Sequence, residues 1–120
     1  MSTWQQIGTD IDGESAGDES GDTRGLSLSA DGSVVAIRAW GNDGNGGNSG
    51  HVRIYQNDSG TWTQVGNDID GEDENDGISR GGVSLSSDGS VIAIGAGGND
   101  GNGGNSGHVR IYKNDNGTWT

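Results

Sequence analysis

Two acidic stretches hold the residues of this chain best suited to chemistry. Asp68-Ile69-Asp70-Gly71-Glu72 sets three carboxylates at alternate positions, and Asp10-Ile11-Asp12-Gly13-Glu14 repeats it letter for letter. Calcium is a hard cation that takes several oxygen ligands, and D-x-D-x-E supplies three from one loop. Asp10, Asp12, Glu14, Asp68, Asp70 and Glu72 are therefore the candidate metal ligands, and Ca2+ is the cofactor they would take. The spacing is not that of an EF-hand, since Gly falls at the fourth position and no Glu at the twelfth. The competing reading is a solvated acidic loop that keeps the chain soluble. Arg38 and Trp40 are the candidate ligand contacts. An exposed Arg beside Trp stacks on a glycan or another flat ligand, whereas a packed pair would mark a junction peculiar to one part of the chain. His51 and His108 have no second His or Cys nearby in sequence and read as surface residues. Paired acid and base, a nucleophile elbow and a phosphate loop are all missing from the sequence, so the chain reads as a non-enzyme with no catalytic residue.

The elements that carry these residues are written twice. Residues 41–55 recur unchanged at 98–112. Sliding 25–63 onto 82–120, an offset of 57, leaves 32 of 39 pairs identical and 7 different. Most differences are mild, such as Val35 against Ile92. Arg38 against Gly95 and Trp40 against Gly97 are not. Thr3 through Glu14 matches Thr61 through Glu72 at an offset of 58, and Thr-Trp returns at Thr118-Trp119. Self-similarity at a fixed period is the mark of a repeat architecture.

The chain has 26 Gly, no Pro and no Cys, and 27% of it is hydrophobic. That balance leans toward disorder, but the apolar residues are clustered and periodic. Without Cys there is neither a disulfide scaffold nor a Cys-ligated metal. A net charge of −12 with only 6 Lys and Arg excludes the basic footprint of nucleic-acid binding. No apolar stretch approaches the roughly 20 residues that span a membrane, and the N-terminus carries no signal-peptide pattern.

Within one unit, Leu26-Ser27-Leu28-Ser29 alternates as a strand does. Asp31-Gly32 is a hairpin signal, and Val34–Ile37 is an apolar, β-branched run expected in a strand buried on both faces. Asn42–Asn48, with its copy from Asn99, resembles one turn of a Gly-rich calcium repeat. It occurs once per unit rather than in tandem, so it reads as a loop of Asn and Gly accepting left-handed backbone. Alternation resumes at 51–56, Asn57–Gly60 turns, and 61–65 is a fourth strand carrying Trp62. The stretch 68–77 reads as a loop too polar to pack. Strands are expected near 26–29, 34–39, 51–56 and 61–65, then near 83–86, 91–96 and 108–113. The fold class is all-β: two four-stranded antiparallel β-propeller blades, at 25–66 and 82–120, with 3–8 as an outer strand shared with a neighbouring blade.

The run Val83-Ser84-Leu85-Ser86-Ser87-Asp88-Gly89-Ser90-Val91-Ile92-Ala93-Ile94-Gly95-Ala96, followed by Gly107-His108-Val109-Arg110-Ile111-Tyr112 and Trp119, resembles FG-GAP-type propeller repeats. These are the blades of the integrin α-subunit head and of bacterial surface proteins. Ile94-Gly95-Ala96 matches the Gly-Ala of that motif, with Gly97 in place of Pro. The resemblance implies adhesion or ligand binding, often with calcium in blade loops, a glycan or protein ligand, and an extracellular or cell-surface location.

Two blades do not close a propeller, which needs roughly 4–8. The expected partner is therefore the chain itself. Thr3–Ile7 of one copy would complete the last blade of the next, in a head-to-tail contact that closes as a ring. Three copies would give six blades and four copies eight, and the trimer is favoured.

Overall fold

The computed structural model describes residues 4–12, 25–39, 51–70, 82–96 and 108–120. Among these residues there is no helix, and so none long and apolar enough to cross a membrane. The chain forms two antiparallel sheets.

The first sheet runs in chain order through β1 (Leu26–Leu28), β2 (Val34–Ala39), β3 (His51–Asp58) and β4 (Thr61–Gln64). A short β5 (Ile69–Asp70) pairs with the far end of β3, setting Val52 opposite Ile69 and His51 opposite Asp70. The second sheet repeats the order with β6 (Val83–Leu85), β7 (Val91–Ala96), β8 (His108–Asp115) and β9 (Thr118–Trp119). Registers match across the repeat: Ala36 faces Ile54 in the first sheet and Ala93 faces Ile111 in the second.

Turn chemistry sets these registers. Asp31 closes the first hairpin, its Oδ1 accepting from the Ser33 amide at 3.0 Å, the Ser33 hydroxyl at 2.7 Å and the Ser29 hydroxyl at 3.1 Å. Asp88 does the same with Ser86 and Ser90. The Ser33 or Ser90 hydroxyl, then the amide of the same residue, then the Ser29 or Ser86 hydroxyl hold both carboxyls below the usual aspartate range. The β3–β4 hairpin turns through Ser59 (φ 54°) and Gly60 (φ 93°). Both central residues are left-handed, which matches the strand twist, and the Asn57 side chain accepts from the Gly60 amide at 2.7 Å.

The acidic stretch after β4 differs from its expectation as a loop over 68–77. Ile69 is buried in the core and Asp70 lies in β5. β3 outruns β4, and its unpaired end recruits the next extended residues despite their polarity. Residues 71–77 lie outside the described residues.

Strand alternation gives each sheet two faces. One face of the first sheet carries Val34, Ala36, Val52 and Ile54. It packs on the face of the second sheet that carries Val83, Leu85, Ile92, Ile94 and Tyr112, and together they form the core. Hydrogen bonds cross this junction: the Leu85 amide donates to Ser27 Oγ at 3.0 Å, and the Ala30 amide to the Ser87 carbonyl at 2.8 Å. Approach is close at Gly89, where an added Cβ would lie 2.7 Å from a Val34 methyl.

Candidate functional site

The registers also fix what each sheet leaves uncovered. Leu26 pairs with Ile37 and Leu28 with Val35, so these four share the outer face of the first sheet with Tyr55. Leu26 is 58% exposed and Leu28 61%, whereas Ile37 on the same face is buried. In the second sheet Ala93 pairs with Ile111 and Gly95 with Val109, on the face away from the first sheet. Val109 is 67% and Ile111 68% exposed, whereas their repeat equivalents Val52 and Ile54 are both 0% exposed.

Each uncovered face is therefore a copy of a face already buried between the sheets. Leu26, Leu28, Val35, Ile37 and Tyr55 correspond at the offset of 57 to Val83, Leu85, Ile92, Ile94 and Tyr112. Ala93, Val109 and Ile111 correspond to Ala36, Val52 and Ile54. The turn glycines show the same asymmetry: Gly89 meets Val34, while a Cβ at its equivalent Gly32 would meet nothing within 4 Å.

The acidic candidates are placed as follows. Asp68 Oδ1 accepts from Arg53 Nε and from Gln64 Nε2, both at 2.7 Å, and Oδ2 accepts from an Arg53 Nη at 3.0 Å. His51 Nδ1 lies 3.7 Å from the same carboxylate. The cation beside Asp68 is thus the Arg53 guanidinium, in a two-pronged, charge-assisted geometry. The Arg53 hydrogen bond, with help from Gln64 and His51 and against partial burial, holds the Asp68 carboxyl below the usual range. Asp10 accepts from Gln6 Nε2 at 2.7 Å, and Asp12 is exposed. Asp70 contributes its backbone to β5. Glu14 and Glu72 lie outside the described residues. Among the described residues, no three His, Cys, Asp or Glu side chains converge as a metal site.

Two expectations about single residues change. His51 is not on the surface: it is buried at the start of β3, beside Asp68. Arg38 is also buried, on the face of β2 that carries Val34 and Ala36. That is the position of a packed junction residue and not of an exposed stacking contact; Trp40 lies outside the described residues.

A groove of about 250 Å³ runs beside the junction, lined by Asn67, Asp68, Ile69, Tyr112, Thr118 and Trp119. Sequence reasoning missed it, because Tyr112 and Trp119 meet Asp68 only when the sheets stack. Trp119 Nε1 donates to the Val65 carbonyl at 2.9 Å, tying the outer edge of the second sheet to the chain leaving the first.

These features define a class by geometry: among the described residues, an all-β chain of two repeated, stacked antiparallel sheets, each with exposed apolar residues on its other face. The chain matches no family model, no curated protein and no solved structure.

Proposed function

We propose that the chain is a non-enzymatic structural module, a β-propeller repeat whose partner is another copy of itself. One observation carries this reading: the two uncovered faces are copies of the two faces that already pack together inside the chain. The second sheet of one copy, through Ala93, Val109 and Ile111, docks on Leu26, Leu28 and Val35 of the next copy as the first sheet docks on the second. Val91 of one copy then fills the open space over Gly32 of its neighbour, as Val34 fills the space over Gly89. Two surfaces that differ from each other and fit head to tail generate a closed ring or a filament. Three copies supply six blades, and a ring of that size lies within the roughly 4–8 blades that close a propeller.

Sedimentation velocity and native mass measured from submicromolar to high micromolar concentration test this. The expected species is a closed trimer, with the tetramer as the next closed form. Ile111→Asp or Leu28→Asp puts a charge in the docking face and should leave a monomer. A wild-type chain that stays monomeric over the whole range overturns the proposal.

A further inference from the structure

The two hairpins at the outer edges of the sheets share one geometry and differ in one residue. β3 and β4 turn through Ser59 and Gly60, with Asp58 opposite Thr61; β8 and β9 turn through Asn116 and Gly117, with Asp115 opposite Thr118. Ser59 has φ 54° and Asn116 φ 53°, while Gly60 has φ 93° and Gly117 φ 92°. Both are two-residue turns whose central residues are left-handed. The same side-chain bond closes each: the Gly60 amide donates to Asn57 Oδ1 and the Gly117 amide to Asn114 Oδ1, both at 2.7 Å. Asn116 is exposed at the tip of its turn.

An Asn-Gly pair can react with its own backbone. The Gly nitrogen attacks the Asn side-chain carbonyl carbon, a C–N bond closes a five-membered imide, and the carboxamide nitrogen leaves as ammonia with the amide proton. Water then opens the imide at either carbonyl and gives aspartate or isoaspartate. Glycine favours ring closure because no side chain crowds the attacking nitrogen. Two features of the β8–β9 turn oppose it. A left-handed residue has ψ of about +47°, which sets the next amide nitrogen anti to Cβ, away from the Asn116 carboxamide. The N–H that must be given up is also held by Asn114. Attack therefore needs rotation about the Asn116 Cα–C bond and release from Asn114, which is to say an open turn.

We infer that Asn116 is a modification site, converted through its imide to aspartate and isoaspartate when the β8–β9 turn opens, with Asn114 as the positioning residue that sets how often it opens. Exposed hairpin tips open locally at little cost compared with the core. The first sheet has no counterpart, since Ser59 carries no carboxamide. The product matters to the fold. Isoaspartate routes the chain through the side-chain carbon and adds one backbone atom to a two-residue turn. It also sets a new carboxylate beside Asp115. The pairing of Asp115 with Thr118 and of Asn114 with Trp119 then loses the turn that registers it.

Incubating the full chain at neutral pH and mapping its peptides by mass spectrometry tests this. The map separates Asn116 from Asn45 and Asn102, which also precede Gly and lie outside the described residues. Asn116 should convert, and more slowly than in a free peptide of residues 113–119. Asn114→Ala should speed the conversion roughly fivefold, the equivalent of one net hydrogen bond. Asn114→Asp keeps an acceptor for the Gly117 amide and should stay at or below the wild-type rate. Asn57→Ala removes the same bond from the first turn and should leave the Asn116 rate unchanged. Circular dichroism of the same samples confirms that each variant is folded. Conversion at the free peptide's rate, no conversion in wild type or Asn114→Ala, or an equal rise in Asn114→Ala and Asn57→Ala overturns the inference.

Discussion

Truncating Ile54 and Ile111 to Ala separates the single chain from the assembly. The two residues occupy one repeat position, yet Ile54 is 0% and Ile111 68% exposed. Ile54→Ala removes three buried carbons and leaves a cavity among Ala36, Val52, Ile92 and Ile94, which costs about 2–5 kcal/mol. Unfolding entropy of roughly 2 cal/mol/K per residue makes each kcal/mol worth about 4 °C in a chain of 120 residues. Ile54→Ala should therefore lower Tm by roughly 8–20 °C at any protein concentration. Ile111 in a lone chain keeps only about a third of its surface out of water. Its truncation forfeits a like share of the roughly 1.5–3 kcal/mol for full burial, about 0.5–1 kcal/mol. That is a shift of roughly 2–4 °C. Docked on a second copy, Ile111 sits where Ile54 sits, and its loss rises to the same 2–5 kcal/mol range, about as much as for Ile54→Ala. Thermal unfolding by circular dichroism across a dilution series, with sedimentation on the same samples, reads both limits. If Ile111→Ala costs the same small amount in assembled and monomeric samples, Ile111 is not in the interface and the face assignment is wrong.

Gly89→Ala and Gly32→Ala both place a Cβ at φ near +75°, a backbone cost of about 1–2 kcal/mol each. Only Gly89→Ala also strikes Val34, adding about 1–3 kcal/mol of overpacking; denaturant midpoints of dilute samples should show that gap, and it should close where copies assemble. The Asp68 carboxyl titrates lower in the folded chain than in the unfolded one, so its stabilising effect is present above about pH 4 and fades as pH falls through the folded value. Asp68→Asn should therefore lower Tm near neutral pH, with the difference from wild type shrinking below about pH 4. The same variant should lose as much stability in chelator as in calcium, because Arg53 occupies the carboxylate. A loss seen only with calcium present would place the ion at Asp68.

The strands were legible because the sequence alternates within them and punctuates them with Asp31-Gly32, Ser59-Gly60 and their copies. Asp31 and Asp88 act as the turn formers their Asp-Gly context predicts. What the sequence hid is what long-range pairing decides. His51 and Ile69 look polar-flanked and exposed, but both are buried where β3 outruns β4 and takes up β5. Alternation puts Arg38 on the face of Val34 and Ala36, and it is buried because that face packs against the second sheet. Alternation also cannot say which face of a sheet meets the next. That assignment came from Ser27 and Gly89, a hydroxyl and a missing side chain at the closest approach. The acidic candidates read in sequence as a metal loop or a solvated one. In the structure the Asp68 carboxylate meets the Arg53 guanidinium, which the sequence placed 15 residues away.

The exchange of Arg38 for Gly95 bears on symmetry. Arg38 lies on the face packed between the two sheets, and Gly95 on the face of the second sheet turned away from the first. In a ring the junctions would then alternate: arginine-bearing within each chain, glycine-bearing between chains. The rotation axis of such a ring would relate chains and not single sheets, so three copies would give threefold and not sixfold symmetry. Alternation also fixes phase, since a copy slipped by one sheet would bring Arg38 to a surface formed for Gly95.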